Sequence, residues 1–318
     1  MKKVLLFLLF IASVAPVLAQ LYPEDFVIPA ADQKIPNSLY NNIFFLDSRP
    51  VDGMLRKPKQ VTSLPFIYQV RKLLKSLTDS TAKDGELLLQ LRLFNFSEIT
   101  SAQTNKGPCY LKAILYSKKE DRYQKINSID TVVAIQEEPN LTKETLAIGG
   151  KIITTFITNS LLLEAADTTS YSFEDLDSML SREKQKIPLY HAAKYIDGLY
   201  FSYSSFSDQT PDKQVTANVS DTGKLYGVRI IENGEKKKVN YKEAYAVVYK
   251  GVPYIATKYG YYALLKINGE LIFTGDIDAK DPRDPLMGSL QEEESFKMRL
   301  DPANGKFIRL ENTYKYTP

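Results

Sequence analysis

From Tyr245 to Gly275 the chain reads YAVVYKGVPYIATKYGYYALLKINGELIFTG. Apolar residues in this stretch fall on both parities of a two-residue period. Over Ala244–Lys250, Tyr245, Val247 and Tyr249 share one parity, and Ala244, Ala246 and Val248 share the other. Over Tyr261–Ile267, Tyr261, Ala263, Leu265 and Ile267 alternate with Tyr262, Leu264 and Lys266. Side chains alternate between the two faces of a strand, so these strands are apolar on both faces. Such a strand has to be covered on both sides, by a second layer or by a partner.

The same period governs the chain from Asp197 onward. Strands are expected over Leu199–Ser204, Leu225–Ile231, Lys237–Lys242, Ala244–Lys250, Val252–Thr257, Tyr261–Ile267 and Glu270–Thr274. Asn233-Gly234 and Asn268-Gly269 supply residues that tolerate the positive φ of hairpin turns. Ala303–Phe307 makes a further tight turn, and the acidic stretch Asp276–Glu294 reads as a long loop. This half is expected to be a β-rich antiparallel meander, barrel-like or sandwich-like.

The first half has a different rhythm. Residues 20–42 form an extended lead-in, interrupted by Pro23, Pro29 and Pro36. Ile43–Leu46 is a short buried strand. Ile67, Val70, Leu73, Leu74 and Leu77 then mark one face of a helix, capped at Thr62 or Ser63. Strands follow at Glu86–Phe96, Cys109–Lys118 and Arg122–Ile135, with Leu87, Leu89, Leu91 and Leu93 on one side of the first. Asn140 caps a helix over 141–165. Gly149 and Gly150 lie inside it, where each costs about 0.5–1 kcal/mol relative to Ala, which points to a close helix–sheet approach. The expected class is α+β: an N-terminal sheet with two helices on one face over 43–170, a helical linker over 171–196, and the β-rich part over 197–318. In the linker, Ser172 and Asp175 have the spacing of a capping box.

The N-terminus carries an address. Lys2 and Lys3 precede an apolar run from Val4 to Ala15, and Val17-Leu18-Ala19 before Gln20 has the small-residue pattern of a signal-peptidase site. The run is too short for the ~30 Å hydrocarbon core, so residues 1–19 are expected to be a cleaved signal peptide, with no transmembrane segment after it. Without Lys2 and Lys3, the 41 basic residues fall to 39 against 38 acidic ones. That balance does not favour nucleic acid. The chain is expected in the periplasm or outside the cell, including association with the outer membrane.

Catalytic chemistry has little to work with. His191 is the only histidine and Cys109 the only cysteine, so there is no internal disulfide, and any triad would have to run through His191. No G-x-S-x-G motif is present, and Gly149-Gly150-Lys151 lacks the rest of a P-loop. Zinc would need more His and Cys ligands than the chain holds. In GDIDAKDPRD, Lys280 and Asp281 occupy positions where a calcium loop needs a ligand and a glycine. No cofactor and no metal site is expected. Asp47 and Arg49 in FLDSRP form a structural ion pair or bind an anion. A glycosidase needs two carboxylates about 5–10 Å apart, and spacing alone selects no pair among the acidic residues.

Of 21 tyrosines, 15 lie in residues 166–318. Tyrosine is a good strand residue, its ring packing and its hydroxyl reaching water. The alternative is a contact face for a protein or sugar, formed by Tyr245, Tyr249, Tyr259 and Tyr261; the lack of Trp weighs against a sugar.

The D-S-R strand end, the order of elements after it, and DGLYFSYSSFSDQTP (Asp197–Pro211) resemble an uncharacterised family of exported proteins of Bacteroidetes-type bacteria. The chain departs from that family's Trp-Gly where LYGVRI (Leu225–Ile230) stands. The resemblance implies an envelope or secreted location and transfers no catalytic or binding residue. The reading is a non-catalytic envelope protein that binds a protein partner or a glycan. The alternative is a glycan- or peptidoglycan-directed hydrolase working through paired carboxylates.

Overall fold

The computed structural model describes residues 26–49, 65–96, 99–100, 105–136, 141–232, 234–276, 283 and 295–312. The fold is α+β and rich in strand. In chain order the first half contains β1 (Tyr40–Asp47), α1 (Phe66–Leu77), β2 (Gly85–Phe96), β3 (Ile99–Thr100), β4 (Asn105–Lys119), β5 (Arg122–Gln136), α2 (Leu141–Thr158), β6 (Ser170–Tyr171) and α3 (Phe173–Gln185). Its sheet runs β1-β2-β4-β5-β6, with β3 beside β4. β1 and β2 are parallel and joined across α1, and the β2–β4, β4–β5 and β5–β6 pairs are antiparallel.

Both helices lie on one face, as expected. Val70, Leu73, Leu74 and Leu77 of α1 and Leu146, Ile153, Phe156 and Ile157 of α2 share a core with Leu87, Leu89, Leu91, Leu111 and Leu115. A bulge between Leu91 and Leu93 then shifts the parity of β2. Phe94 therefore joins the helix side, while Leu93, expected there, packs with the second half. The opposite face is not bare. Leu176 of α3 buries against Leu46, Leu88 and Tyr116, and the Gln90 amide donates to the Leu176 carbonyl at 2.8 Å. The capping box holds the start of α3: the Asp175 N–H donates to Ser172 Oγ at 3.1 Å, and the Ser172 N–H to Asp175 Oδ2 at 3.0 Å. The N-cap of α1 is Pro65, and the caps expected at Thr62, Ser63 and Asn140 lie outside the described residues.

The lead-in is part of this core. Phe26 and Ile28 are buried, and Gln69 of α1 reads their backbone, accepting from the Ile28 N–H at 2.7 Å and donating to the Phe26 carbonyl at 3.1 Å. Gly150 approaches this segment rather than the sheet. A Cβ on Gly150 would lie 2.3 Å from the Val27 carbonyl oxygen.

The second half contains α4 (Pro188–His191), β7 (Gly198–Tyr200), α5 (Tyr203–Ser207), β8 (Val215–Val219), β9 (Leu225–Glu232), β10 (Glu235–Lys238), β11 (Ala246–Tyr249), β12 (Val252–Thr257), β13 (Gly260–Ala263), β14 (Leu265–Ile267), β15 (Glu270–Asp276), β16 (Ser295–Leu300) and β17 (Phe307–Asn312). The order β7-β11-β12-β13-β9-β8 curls into a nearly closed barrel, and a bridge from Leu199 to Lys213 brings the β8 lead-in back to β7. β10 extends beyond it at the edge of β9. A separate sheet, β14-β15-β16-β17, packs on the barrel's outer wall.

Three expected strands are cut short or displaced: Lys237–Lys242 is replaced by β10, which ends at Lys238 before a turn. Leu199–Ser204 ends at Tyr200, because the Ser202 side chain caps α5. Tyr261–Ile267 breaks after Leu264, whose N–H still donates to the Pro253 carbonyl of β12 at 2.8 Å; β13 stays in the barrel and β14 enters the second sheet. Strands β8, β16 and β17 were not anticipated. Most of the loop expected over Asp276–Glu294 lies outside the described residues. Asn268 and Gly269 take φ of 51° and 78°, the paired positive values of a two-residue hairpin turn.

Replacing Gly150 with Ala tests the helix contact. In an open helix interior this change is stabilising by up to ~1 kcal/mol. Here the clash with the backbone at Val27 should dominate and cost about 1–3 kcal/mol in urea denaturation. A more stable variant would show that the lead-in does not bear on α2.

Candidate functional site

The barrel explains where the tyrosines go. Register places Ala246 opposite both Tyr200 and Ile255, and Ile255 opposite Tyr262. This row faces outward into a core with Phe273, Phe296, Met298 and Phe307 of the second sheet. The neighbouring row, Leu199, Val247, Tyr254 and Ala263, faces the barrel interior with Leu225, Val228 and Val239. Strand β11 is thus covered on both sides by the chain itself, while Leu265 of β14 stays exposed.

The four tyrosines singled out above do not share a face. Tyr245 is buried in the outer core, where its hydroxyl donates to the Gly305 carbonyl at 2.7 Å and its ring lies beside Tyr203, Phe206 and the Arg283 guanidinium. Tyr249 and Tyr261 are half-buried and pack against the interior core. Tyr259 sits in the turn between β12 and β13, its N–H donating to Thr257 Oγ1 at 3.2 Å. Tyr245 thus packs into one core, and Tyr249 and Tyr261 against another.

The motif DGLYFSYSSFSDQTP is also occupied structurally. The Asp197 carboxylate accepts from the N–H groups of Lys250 and Gly251 at 2.9 and 2.7 Å. Asp212 accepts from the Phe201 N–H and the Ser205 hydroxyl at 2.7 and 2.8 Å. Gln209 accepts from the Ile196 N–H at 3.0 Å. These bonds fix the strand that closes the barrel.

The reactive side chains are dispersed. Cys109 is buried beneath the helices, and burial pushes its thiol up to about 12, far from the thiolate that chemistry requires. His191 is exposed at the end of α4. Asp47 forms the ion pair anticipated in FLDSRP, holding Arg49 at 2.8 and 2.5 Å. Asp130 and Asp301 both reach the Lys112 ammonium, at 3.1 and 3.5 Å, and this triad joins the first sheet to the turn after β16. Glu270, buried in the second sheet, pairs with Lys184 of α3.

One surface stands apart, and sequence reasoning assigned it no role. On the ribbon β8-β9-β10, Lys238 lies opposite Arg229, which lies opposite Thr216, and Lys236 lies opposite Ile231. Tyr226, Arg229, Ile231, Lys236 and Lys238 are all exposed. The acids take the other face of the pleat, where Glu232 accepts from Lys237 at 2.9 Å and Lys213 at 3.3 Å. Among the described residues, no carboxylate is in ion-pair distance of Arg229, Lys236 or Lys238. The signal was the EKKK run just after Asn233-Gly234, read in register with Arg229.

The buried phenols give a test. Burial pushes Tyr200, Tyr261 and Tyr262 up to about 12, and Tyr116, Tyr190 and Tyr203 higher. Each favours its neutral form in the fold, so its contribution is intact below the free phenol's pKa of about 10 and is lost as pH rises through the folded value. In an alkaline titration, phenolate absorbance of this set should appear together with loss of far-ultraviolet circular dichroism. Ionisation of these six phenols near pH 10 in a chain that keeps its fold would contradict the burial.

No protein-family model matches the chain, and neither does any curated protein. Among solved structures, a minor lipoprotein from Acinetobacter baumannii aligns at 12% identity and a TM-score of 0.24, over 41% of this chain and 98% of that one. A protein described as uncharacterized aligns at 10% identity and a TM-score of 0.20, over 40% of this chain and 96% of that one. At such TM-scores neither likeness carries an argument about fold or activity.

Proposed function

We propose that this chain is an exported envelope protein that binds rather than catalyses, and that the outer face of the β8-β9-β10 ribbon is its contact surface. The observation that carries the reading is the segregation of charge on that ribbon. Three cations stand on one face without acidic partners, while Glu232 on the other face pairs with Lys213 and Lys237. Surface charges of one sign left together favour a partner of the opposite sign. The N-terminal pattern of Lys2, Lys3, Val4–Ala15 and Ala19 supports export. Tyr245, Tyr249 and Tyr261, by contrast, contribute to internal cores. The partner is a component of the envelope, whether protein, glycan or lipid.

A photo-crosslinking residue placed at Lys236 in growing cells tests this, with the same residue at exposed Lys125 on the first sheet as control. Position 236 should give an adduct in the envelope fraction, and position 125 should not. Equal adducts from both positions would overturn the assignment of the ribbon. A chain retained in the cytosol with residues 1–19 attached would overturn export. Turnover of envelope polysaccharide by the purified chain would replace binding with hydrolysis.

A further inference from the structure

We propose that the β8-β9-β10 ribbon docks on an anionic lipid surface, with Arg229, Lys236 and Lys238 meeting headgroup phosphates and Tyr226 and Ile231 seated at headgroup level. The inference rests on the reading of this ribbon as the contact surface and names its partner.

The ribbon holds a conflict of charge. Arg229 and Lys238 are directly opposed across β9 and β10. Like charges opposed in this way destabilise a strand pair. The ribbon keeps them on one face, while Glu232 and Glu235, also opposed to each other, take the other. Lysines on a terminal strand do guard against edge-to-edge pairing, and β10 pairs only with β9. That role does not extend to Arg229, because β9 is flanked by both β10 and β8. Nor does it explain the two large apolar side chains on the same face, Tyr226 at 51% exposure and Ile231 at 41%.

Those two side chains decide between anionic partners. Tyr226 and Ile231 are five residues apart on β9, and the bulge at Gly227 between them, seen as a register shift against β8, brings them to one face roughly 16 Å apart, with the cations between and beside them. An acidic polysaccharide would satisfy the cations but offers no apolar phase for Ile231. A lipid interface accommodates both: phosphates meet the ammonium and guanidinium groups, an aliphatic side chain enters the acyl boundary, and a tyrosine ring lies at headgroup depth. Basic groups alone bind such surfaces weakly, and added apolar contact gives useful residence. The ribbon carries both on one face.

Flotation with vesicles measures this directly. The purified chain, with mass spectrometry confirming that residues 1–19 are absent, is mixed with phosphatidylglycerol–phosphatidylethanolamine vesicles or with phosphatidylcholine vesicles. Binding should be confined to the anionic vesicles. The variant Arg229→Gln/Lys236→Gln/Lys238→Gln should lower partitioning about a hundredfold. A control with the same loss of charge, Lys72→Gln/Lys75→Gln/Lys125→Gln, should bind as the parent does. The variant Tyr226→Ser/Ile231→Ser should weaken the binding that persists at high salt. All of these positions are exposed, and circular dichroism checks that each variant folds. Equal binding to both vesicle types, equal loss in the control, or retention on an acidic polysaccharide resin without vesicle binding would overturn the proposal. The wider reading of the ribbon would survive any of these, because crosslinking at position 236 in cells judges it separately.

Discussion

Strands β11 and β12 have to be buried twice, and the architecture of the second half follows from that constraint. Ala246, Val248 and Ile255 face one core while Val247, Tyr254 and Ala256 face another. Only a wall with filled space on both sides satisfies such strands. The chain meets the demand by curling the sheet into a barrel around Val247 and Tyr254, and by laying a second sheet, with α4 and α5, over Ala246 and Ile255. Tyrosine suits both sides. Tyr245 and Tyr190 place their rings in the outer core and direct their hydroxyls to the carbonyls of Gly305 and Leu300.

Polar contacts run along the junction of the two halves. The Lys112 triad links β4 and β5 to the turn after β16. Asn95 of β2 donates to the Arg309 carbonyl at 3.2 Å, and Lys184 of α3 reaches Glu270 of β15. Within the second half, the Arg283 guanidinium donates to the carbonyls of Tyr245 and Ala256 and lies over the Phe307 ring. A buried pair such as Lys184–Glu270 is weak evidence for net stability, but losing one partner strands a charge, so these contacts fix the register of one half against the other.

Much of this was legible in the residues. The periods that mark α1, the three long strands of the first sheet and β12 are strong because each element buries one face or both. The Ser172–Asp175 box identified α3, although nothing in it showed that α3 would cover the second face of the sheet. The misreadings have physical causes. A bulge of one residue at Arg92 changes parity without changing composition. The break at Leu264 leaves no mark in the pattern, because Leu265 and Ile267 continue the apolar run into a different sheet. Strand β8 is half exposed and carries little alternation. The ribbon face was illegible for a related reason: the strand expected over Lys237–Lys242 starts at Glu235, and only its pairing with β9 aligns Lys238 with Arg229. The tyrosines were visible as sheet formers, but their division between two cores emerges only from the register.

The lead-in has a consequence for the order of events during synthesis. Phe26 and Pro29 are among the first described residues to be made, yet their partners come much later: Gln69 is 43 residues beyond Phe26, and Thr154 is 125 residues beyond Pro29. Contacts this remote are slow to form, because a long loop must close before they stabilise anything. The leading segment must therefore wait as open chain until α2 has emerged. During that interval the apolar floor of the first sheet is uncovered, and a chaperone holding the nascent chain would find there the binding surface that the finished protein has hidden.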